Sequence, residues 1–126
     1  MMAKEIVTTD NAPKSTAYSQ GVKAGGFVFV AGQGPFDPTT SEVVGTTIQE
    51  QTAQCLKNID AILQAAGSSL DKVVSATFIL GDPSDFAGMN EEWVKWFPKD
   101  PPARQGAKLP IQSKGMKISI AVIAEV

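Results

Sequence analysis

The chain is organised around the stretch Pro101-Pro102-Ala103-Arg104-Gln105-Gly106-Ala107-Lys108-Leu109-Pro110. The two leading prolines fix an extended backbone, because each locks φ and disfavours helix for the residue before it. A short strand is therefore predicted from Arg104 to Leu109, closed by Pro110. Strand side chains alternate between two faces. One face carries Arg104, Gly106 and Lys108, and the other carries Ala103, Gln105, Ala107 and Leu109.

The Arg104 face of this strand suits a ligand carboxylate. A guanidinium can bind a carboxylate in bidentate fashion, and the missing side chain at Gly106 lets a ligand approach the main chain. The alternative is an edge strand with two solvated cations, since most surface arginines form no specific pair. The stretch by itself leaves both interpretations open.

The composition predicts one domain spanning residues 1–126. A chain of 126 residues with 43% hydrophobic and 19% charged residues can bury one core, and it is not of the disordered class. Its 11 basic and 13 acidic residues give a net charge of −2, which argues against nucleic-acid binding. The sequence shows no signal peptide and no run apolar enough to span a bilayer, so we expect a cytoplasmic protein that does not enter membranes.

The residue types that are missing exclude several chemistries. The chain has no histidine, so it cannot contain a Ser-His-Asp or Cys-His catalytic arrangement or an imidazole-based metal site. The single cysteine, Cys55, can form neither an intrachain disulfide nor a thiolate cage. We expect it to be a buried core residue rather than a reactive thiol. Any chemistry must come from Arg, Lys, Tyr, carboxylates, hydroxyls, main-chain groups and water.

Hydrophobic periodicity predicts strands and helices in the order β-β-β-α-β-α-β-β. The predicted strands are Lys4–Thr8, Tyr18–Lys23, Phe27–Ala31, Lys72–Leu80, Arg104–Leu109 and Lys117–Val126. A tight turn at Ala24-Gly25-Gly26 joins the second and third strands into a hairpin.

Two amphipathic helices lie between the strands. The first starts with a capping box, in which Glu50 follows Thr47 by three residues, and ends at Gly67. Its apolar stripe is Cys55, Leu56, Ile59, Ile62, Leu63 and Ala66. The second helix begins at Asp82-Pro83 and ends before Pro98. One face of it carries Phe86, Met89, Asn90, Trp93 and Phe97, a stripe typical of packing onto a sheet rather than of a cofactor-binding box.

We expect both helices to cover one face of a mixed sheet. The opposite, open face is predicted to carry Val28, Val30, Arg104, Gly106, Lys108, Ser119, Ala121 and Ile123. A half-apolar open face on a small domain favours self-association.

Six sequence blocks occur in order over almost the whole chain. They are Ala17-Tyr18-Ser19-Gln20-Gly21, Phe29–Pro35, Asn58-Ile59 through Ala65-Ala66-Gly67, Asp85–Asn90, Pro102-Ala103-Arg104 and Lys117–Ala124. Together they resemble the Rid (YjgF/YER057c/UK114) proteins, also called reactive intermediate deaminases. The resemblance implies an α+β, chorismate-mutase-like (YjgF-like) fold and a barrel-forming homotrimer with ligand clefts between subunits. It also implies hydrolysis of 2-enamino or 2-imino acids to 2-oxo acids and ammonia, with no metal and no cofactor.

The resemblance further implies which residues form the site. Arg104 matches the arginine that holds the substrate carboxylate, and Tyr18 matches the tyrosine that lines the cleft. Asn90 matches an asparagine of the second helix, and Gly32 matches a position where the main chain approaches the ligand. The implied partners are a small 2-imino or 2-oxo acid and further copies of the chain.

Three positions depart from the family pattern. Ala31 stands where the deaminating branch has a serine. Gly106 replaces a cysteine whose main-chain carbonyl takes the substrate amine, and that carbonyl remains here. Ser119 stands where a glutamate positions the attacking water. A hydroxyl can hold a water but cannot accept its proton near neutral pH, and losing a general base typically costs about 10²–10⁴-fold in rate.

Three functions therefore remain open. The first is an imine or enamine deaminase, slowed by the missing glutamate, with Arg104 as the carboxylate anchor and Ser119 or a main-chain group holding water. The second is a small-carboxylate-binding trimer of the same fold without efficient chemistry. The third is RNA-directed, since some family members carry names such as ribonuclease. The net charge of −2 makes it the weakest of the three.

Overall fold

The structure is a computed structural model that describes residues 3–111 and 115–126. Its six strands are β1 (Glu5–Val7), β2 (Gly21–Ala24), β3 (Phe27–Gln33), β4 (Val73–Leu80), β5 (Ala103–Lys108) and β6 (Ile118–Glu125). Its two α-helices are α1 (Ile48–Ala65) and α2 (Phe86–Trp96). The predicted order of strands and helices is confirmed. Over the described ranges, none of the helices has the length and apolarity needed to cross a membrane.

The strands form one mixed sheet in the order β1-β2-β3-β6-β4-β5. Only β4 and β5 run parallel, because α2 carries the chain from the end of β4 back to the start of β5. The β2–β3 hairpin turns at Gly25 and Gly26, whose φ angles of 61° and 87° are the left-handed values that a two-residue hairpin turn requires. Because β5 is last in the order, one side of its backbone has no neighbouring strand among the described residues.

The predicted caps of α1 are present. Thr47 Oγ1 accepts a hydrogen bond from Glu50 N, and Glu50 Oε1 accepts one from Thr47 N, each at 3.1 Å. At the other end, Gly67 has a φ of 80°, and Ser68 N donates to Leu63 O at 2.8 Å, as in a Schellman motif. These caps fix where α1 begins and ends above the sheet.

Both helices pack on one face of the sheet, which we call the helix side. Its buried residues include Cys55, Leu56, Ile59, Ile62 and Leu63 of α1, Met89 and Trp93 of α2, and Val28, Val30, Ala76, Phe78, Leu80, Ile118, Ile120, Val122 and Ala124 of the strands. The predicted stripes of both helices are therefore confirmed as packing surfaces. The opposite face of the sheet is the open face.

The predicted composition of the open face is wrong for the five residues Val28, Val30, Arg104, Gly106 and Lys108. Val28 and Val30 are buried in the core, and Phe27 and Phe29 take the open face instead. Because residues 27–30 are all apolar, alternation alone does not give their phase. Arg104, Gly106 and Lys108 pair with Ala76, Phe78 and Leu80, which are buried on the helix side. Ser119, Ala121 and Ile123 do lie on the open face, as their half-buried positions between core residues of β6 show.

Candidate functional site

Three aromatic rings hold Arg104 on the helix side. Its Cζ lies 5.1 Å from the ring centroid of Phe78, 5.7 Å from that of Phe86 and 5.0 Å from that of Trp93. Rings at these distances attract a guanidinium through their negative faces. Arg104 Nη1 also donates a hydrogen bond to Asn90 Oδ1 at 2.7 Å. The side chain is therefore positioned before any ligand arrives.

The Arg104 guanidinium has no acidic partner among the residues that the structure describes, since no carboxylate lies within 4.0 Å of it. Partial burial of the guanidinium lowers the pKa of Arg104. The group still carries its charge at neutral pH, because arginine pKa values begin far above that range. Arg104 is also the only arginine in the chain. A fixed, partly desolvated cation without a counter-ion is well suited to bind an incoming carboxylate.

Gly106 lies directly beneath the Phe78 ring. A Cβ atom built on Gly106 would lie 2.3 Å from Phe78 Cζ, so the ring must move before any other residue fits. Leu109 N donates to Leu80 O of β4 at 2.8 Å. Because peptide groups alternate in direction along a strand, the main chain of Gly106 points away from β4, toward the free edge of the sheet. Its carbonyl is thus exposed on the strand that carries Arg104.

Ser119 and Gly32 are neighbours on the open face. Strand β3 shifts its register against β6 between Val30 and Gln33, so a β-bulge inserts one extra residue there. The bulge presents Gly32 at the surface, where a Cβ atom would lie 3.3 Å from Ser119 Oγ. The glycine therefore leaves the space beside the Ser119 hydroxyl open.

Tyr18 lies in the loop before β2, not within that strand as predicted, because β2 begins at Gly21. Its side chain is 50% exposed. It lines a groove of about 410 Å³ together with Ile6 of β1. The loop is joined to the bulge in β3 by a hydrogen bond from Ala31 N to Gln20 O, 2.9 Å long.

The predicted site residues fall into two groups. The arginine cluster is Arg104, Asn90 and Gly106, and the serine cluster is Ser119, Gly32 and Ala31, whereas Tyr18 lies apart in the loop before β2. The sheet itself separates Ser119 from Arg104, because they lie on opposite faces. Strands β2 and β5 are four positions apart in the sheet. At about 4.8 Å between neighbouring strands, this separates them by about 19 Å. One chain therefore does not bring Tyr18 to Arg104.

Sequence reasoning missed Phe78, Phe86 and Trp93 as the residues that hold Arg104. The pattern of α2 predicts only packing, although Phe86, Asn90 and Trp93 recur at helical spacing. The sequence signal for such a contact is the Asn90 amide within this aromatic stripe. An asparagine on an otherwise apolar helix face needs a polar partner, and a strand arginine can supply one.

Cys55 belongs to neither cluster. It is fully buried, its Sγ lies 3.8 Å from Ile118 O, and burial raises the pKa of its thiol far above the ordinary value. The prediction of a core cysteine is confirmed. Within residues 3–111 and 115–126, no three His, Cys, Asp or Glu side chains are grouped so that they could hold a metal ion.

The fold defines an α+β protein with a mixed sheet and two helices on one side, and the arginine cluster lies at one edge of that sheet. A family model described as "Endoribonuclease L-PSP" matches residues 9–126. The chain belongs to this family, which is the YjgF/Rid family that its sequence blocks resemble.

The chain is similar to several known members. It is 48% identical over 122 residues to a RutC family protein of Pyrococcus horikoshii, covering 96% of this chain and 97% of that one. It is 41% identical over 115 residues to "Reactive Intermediate Deaminase A, chloroplastic" of Arabidopsis thaliana, covering 88% of this chain and 62% of that one. The crystal structure of E. coli TdcF with bound serine superposes with a TM-score of 0.90 at 33% identity, covering 97% and 98% of the two chains.

Proposed function

We propose that this protein hydrolyses 2-imino acids, and the 2-enamino acids that tautomerise to them, to 2-oxo acids and ammonia. The observation that carries the proposal is the state of Arg104, a guanidinium without an acidic partner in the described chain, held by three rings and Asn90. Two relatives support it. One is named a reactive intermediate deaminase, and the other was crystallised with serine, a small molecule that carries a carboxylate.

The proposed reaction adds water across the C=N bond. Arg104 binds the substrate carboxylate and thereby orients C2. The Gly106 carbonyl accepts a hydrogen bond from the protonated imine nitrogen, and the Ser119 hydroxyl accepts one from the attacking water. Water adds to C2, and its proton passes to solvent. The nitrogen of the resulting carbinolamine takes a proton from solvent and the hydroxyl group gives one up, so the C–N bond breaks, ammonia leaves and the 2-oxo acid remains.

Ser119 makes this a slow deaminase. A serine hydroxyl orders water but does not take its proton at neutral pH, and a positioned general base typically contributes about 10²–10⁴-fold. The remaining acceleration comes from holding the carboxylate and the water in reacting geometry. The open bulge at Gly32 gives that water room beside Ser119 Oγ.

We propose that the complete cleft lies between two chains of a homotrimer. The arginine cluster and the serine cluster lie on opposite faces of one sheet, so a site that uses both needs residues from two chains. The open face exposes Ile6 at 51%, Phe27 at 38% and Phe29 at 45%, and apolar area of this kind favours association. Packing the open face against the edge of a neighbour would set Ser119 beside the partner's arginine cluster.

The carboxylate site is tested most directly through the single arginine. A dicarbonyl reagent selective for arginine can modify only Arg104, and a 2-oxo acid should slow that modification in proportion to its binding. Arg104→Lys should bind 2-oxobutyrate roughly tenfold to a hundredfold more weakly by calorimetry, because lysine lacks the planar fork. Lys72→Arg, just before the start of β4 and outside the arginine cluster, is the control and should bind as the parent does. Equal affinity in Arg104→Lys would refute the assignment.

The shared cleft is tested by mixing two inactive variants. Arg104→Ala and Tyr18→Ala should each lose ammonia release from an imino acid that an amino-acid oxidase generates in place, after subtraction of uncatalysed hydrolysis. Co-refolded mixtures should regain activity, because some clefts then combine Arg104 of one chain with Tyr18 of another. Mixtures that stay inactive while forming trimers by light scattering would show that both residues serve the same chain's site.

A second candidate is a small-carboxylate-binding trimer without catalysis, and Ser119 in the place of the family glutamate favours it. Binding of 2-oxobutyrate that depends on Arg104, together with no ammonia release above background, would select this function. An RNA-cleaving function has no support in the residues, since the net charge is −2 and no histidine is present for acid–base chemistry.

A further inference from the structure

Lys108 is a second cation beside the arginine cluster. Its Nζ lies 4.8 Å from the centroid of the Phe86 ring, and Arg104 Cζ lies 5.7 Å from the same centroid. The two charges are therefore no further apart than the sum of those distances. On the strand between them, Gly106 contributes no side chain to this face.

Lys108 is also without an acidic partner in the part of the chain that the structure describes, since no carboxylate lies within 4.0 Å of its Nζ. Two like charges beside one ring repel each other, and the negative ring face offsets that repulsion only in part. The chain has more acidic than basic residues, 13 against 11, yet none of the described ones neutralises this pair. The result is a local positive field suited to a dianion.

We propose that Lys108 makes the site selective for 2-imino and 2-oxo acids whose side chain ends in a second carboxylate. This inference rests on the proposed function, because it takes Arg104 as the anchor of the first carboxylate. A ligand chain of four or five carbons then runs along the apolar Phe86 ring, and its far carboxylate meets the Lys108 ammonium. A lysine on a flexible stem suits that role, because it acts as a point charge without a fixed approach direction.

The preference has a simple physical origin. A ligand with an apolar side chain would place that chain beside an ammonium group and leave Lys108 unpaired. A dicarboxylic ligand pairs both cations and relieves their mutual repulsion. The preference should weaken with added salt, because Lys108 is exposed to solvent.

The test compares two probes of equal length, 2-oxoglutarate and 2-oxopentanoate, which differ in whether the chain ends in a carboxylate or a methyl group. We expect the parent to bind 2-oxoglutarate roughly three- to tenfold more tightly by calorimetry at low salt, the range of a partly exposed charged contact. Lys108→Met keeps the stem and removes the charge, and it should bind both probes equally. Lys72→Met is the matched control and should keep the parent's preference.

The outcomes separate this inference from the proposed function. Both probes could bind through Arg104 with equal affinity, in the parent and in Lys108→Met alike. That result would overturn the role of Lys108 and leave Arg104 as the carboxylate anchor. Equal weakening of both probes in Lys108→Met would also overturn it, because it would show only long-range attraction. No binding of either probe would overturn both proposals. The same preference should appear in ammonia release from the imino acids of glutamate and norvaline.

Discussion

The arginine cluster and the serine cluster differ in how firmly the chain holds them. Arg104 is fixed by two rings from α2, one ring from β4 and an amide hydrogen bond. Ser119 lies on an open sheet face beside a glycine bulge, with Gly32 as its close neighbour. This difference teaches that the chain fixes the Arg104 guanidinium through its own core packing. Under our proposal, it leaves the water-holding side of the reaction to a surface that another chain completes.

The largest expected effect is on the free energy of unfolding, and it should differ between two isoleucines on β6. Ile120 is fully buried on the helix side, whereas Ile123 lies half-buried on the open face. We expect Ile120→Ala to lower the free energy of unfolding by about 2–5 kcal/mol through the cavity that it leaves. Ile123→Ala should cost less in chain folding but should weaken association. Denaturant unfolding at two protein concentrations, with mass measured by light scattering, separates the two effects. A monomeric parent would remove the proposed cleft.

A glutamate at position 119 should make the serine cluster more effective. Ser119→Glu should raise imine hydrolysis by up to about 10²-fold, because a carboxylate both orders water and accepts its proton. Ser119→Gln, which has the same length and no basic group, is the control and should show no such gain. The measurement is ammonia release above the uncatalysed rate. A fast parent whose activity falls in Ser119→Glu would indicate that another group already holds the water.

A methyl group at position 106 should disturb the arginine cluster through packing. Gly106→Ala should lower the free energy of unfolding by about 1–3 kcal/mol, because its Cβ would overlap the Phe78 ring. It should also weaken 2-oxo acid binding, since Phe78 is one of the rings that hold Arg104. In a Phe78→Leu background the same substitution should cost less. Equal costs in both backgrounds would show that the ring does not exclude a side chain at this position.

The smallest expected effect concerns the cap of α1, which carries core residues of the helix side. Hydrogen bonds from the main-chain N–H groups of Thr47 and Thr46 hold the pKa of Glu50 below its usual value of 4.5. A lowered carboxyl pKa adds stability above the unfolded pKa, and that stability is lost as the pH falls through the folded pKa. Glu50→Gln should therefore lower Tm more at pH 7 than at pH 3. The exposed Glu91→Gln, which removes the same charge outside the cap, is the matched control.

The sequence alone determined the order of the strands and helices. The capping box at Thr47, the Gly67 terminator and the stripe of α1 depend on local geometry and periodicity, so they could be read without the fold. The sequence also predicts which side chains of β5 share a face, because successive side chains of a strand point to opposite faces. Ordered sequence blocks then indicated the family, which the comparisons confirmed.

Only the tertiary structure decided which face of the sheet each group occupies. Alternation sorts Arg104, Gly106 and Lys108 together, but it carries no information on whether that set meets the helices or the open side. The register between β4 and β5 determines the face, since these residues pair with buried positions of β4. The same pairing set Phe78 over Gly106 and three rings around Arg104. Contacts between residues far apart in the chain depend on the packing of whole elements, which no local pattern specifies.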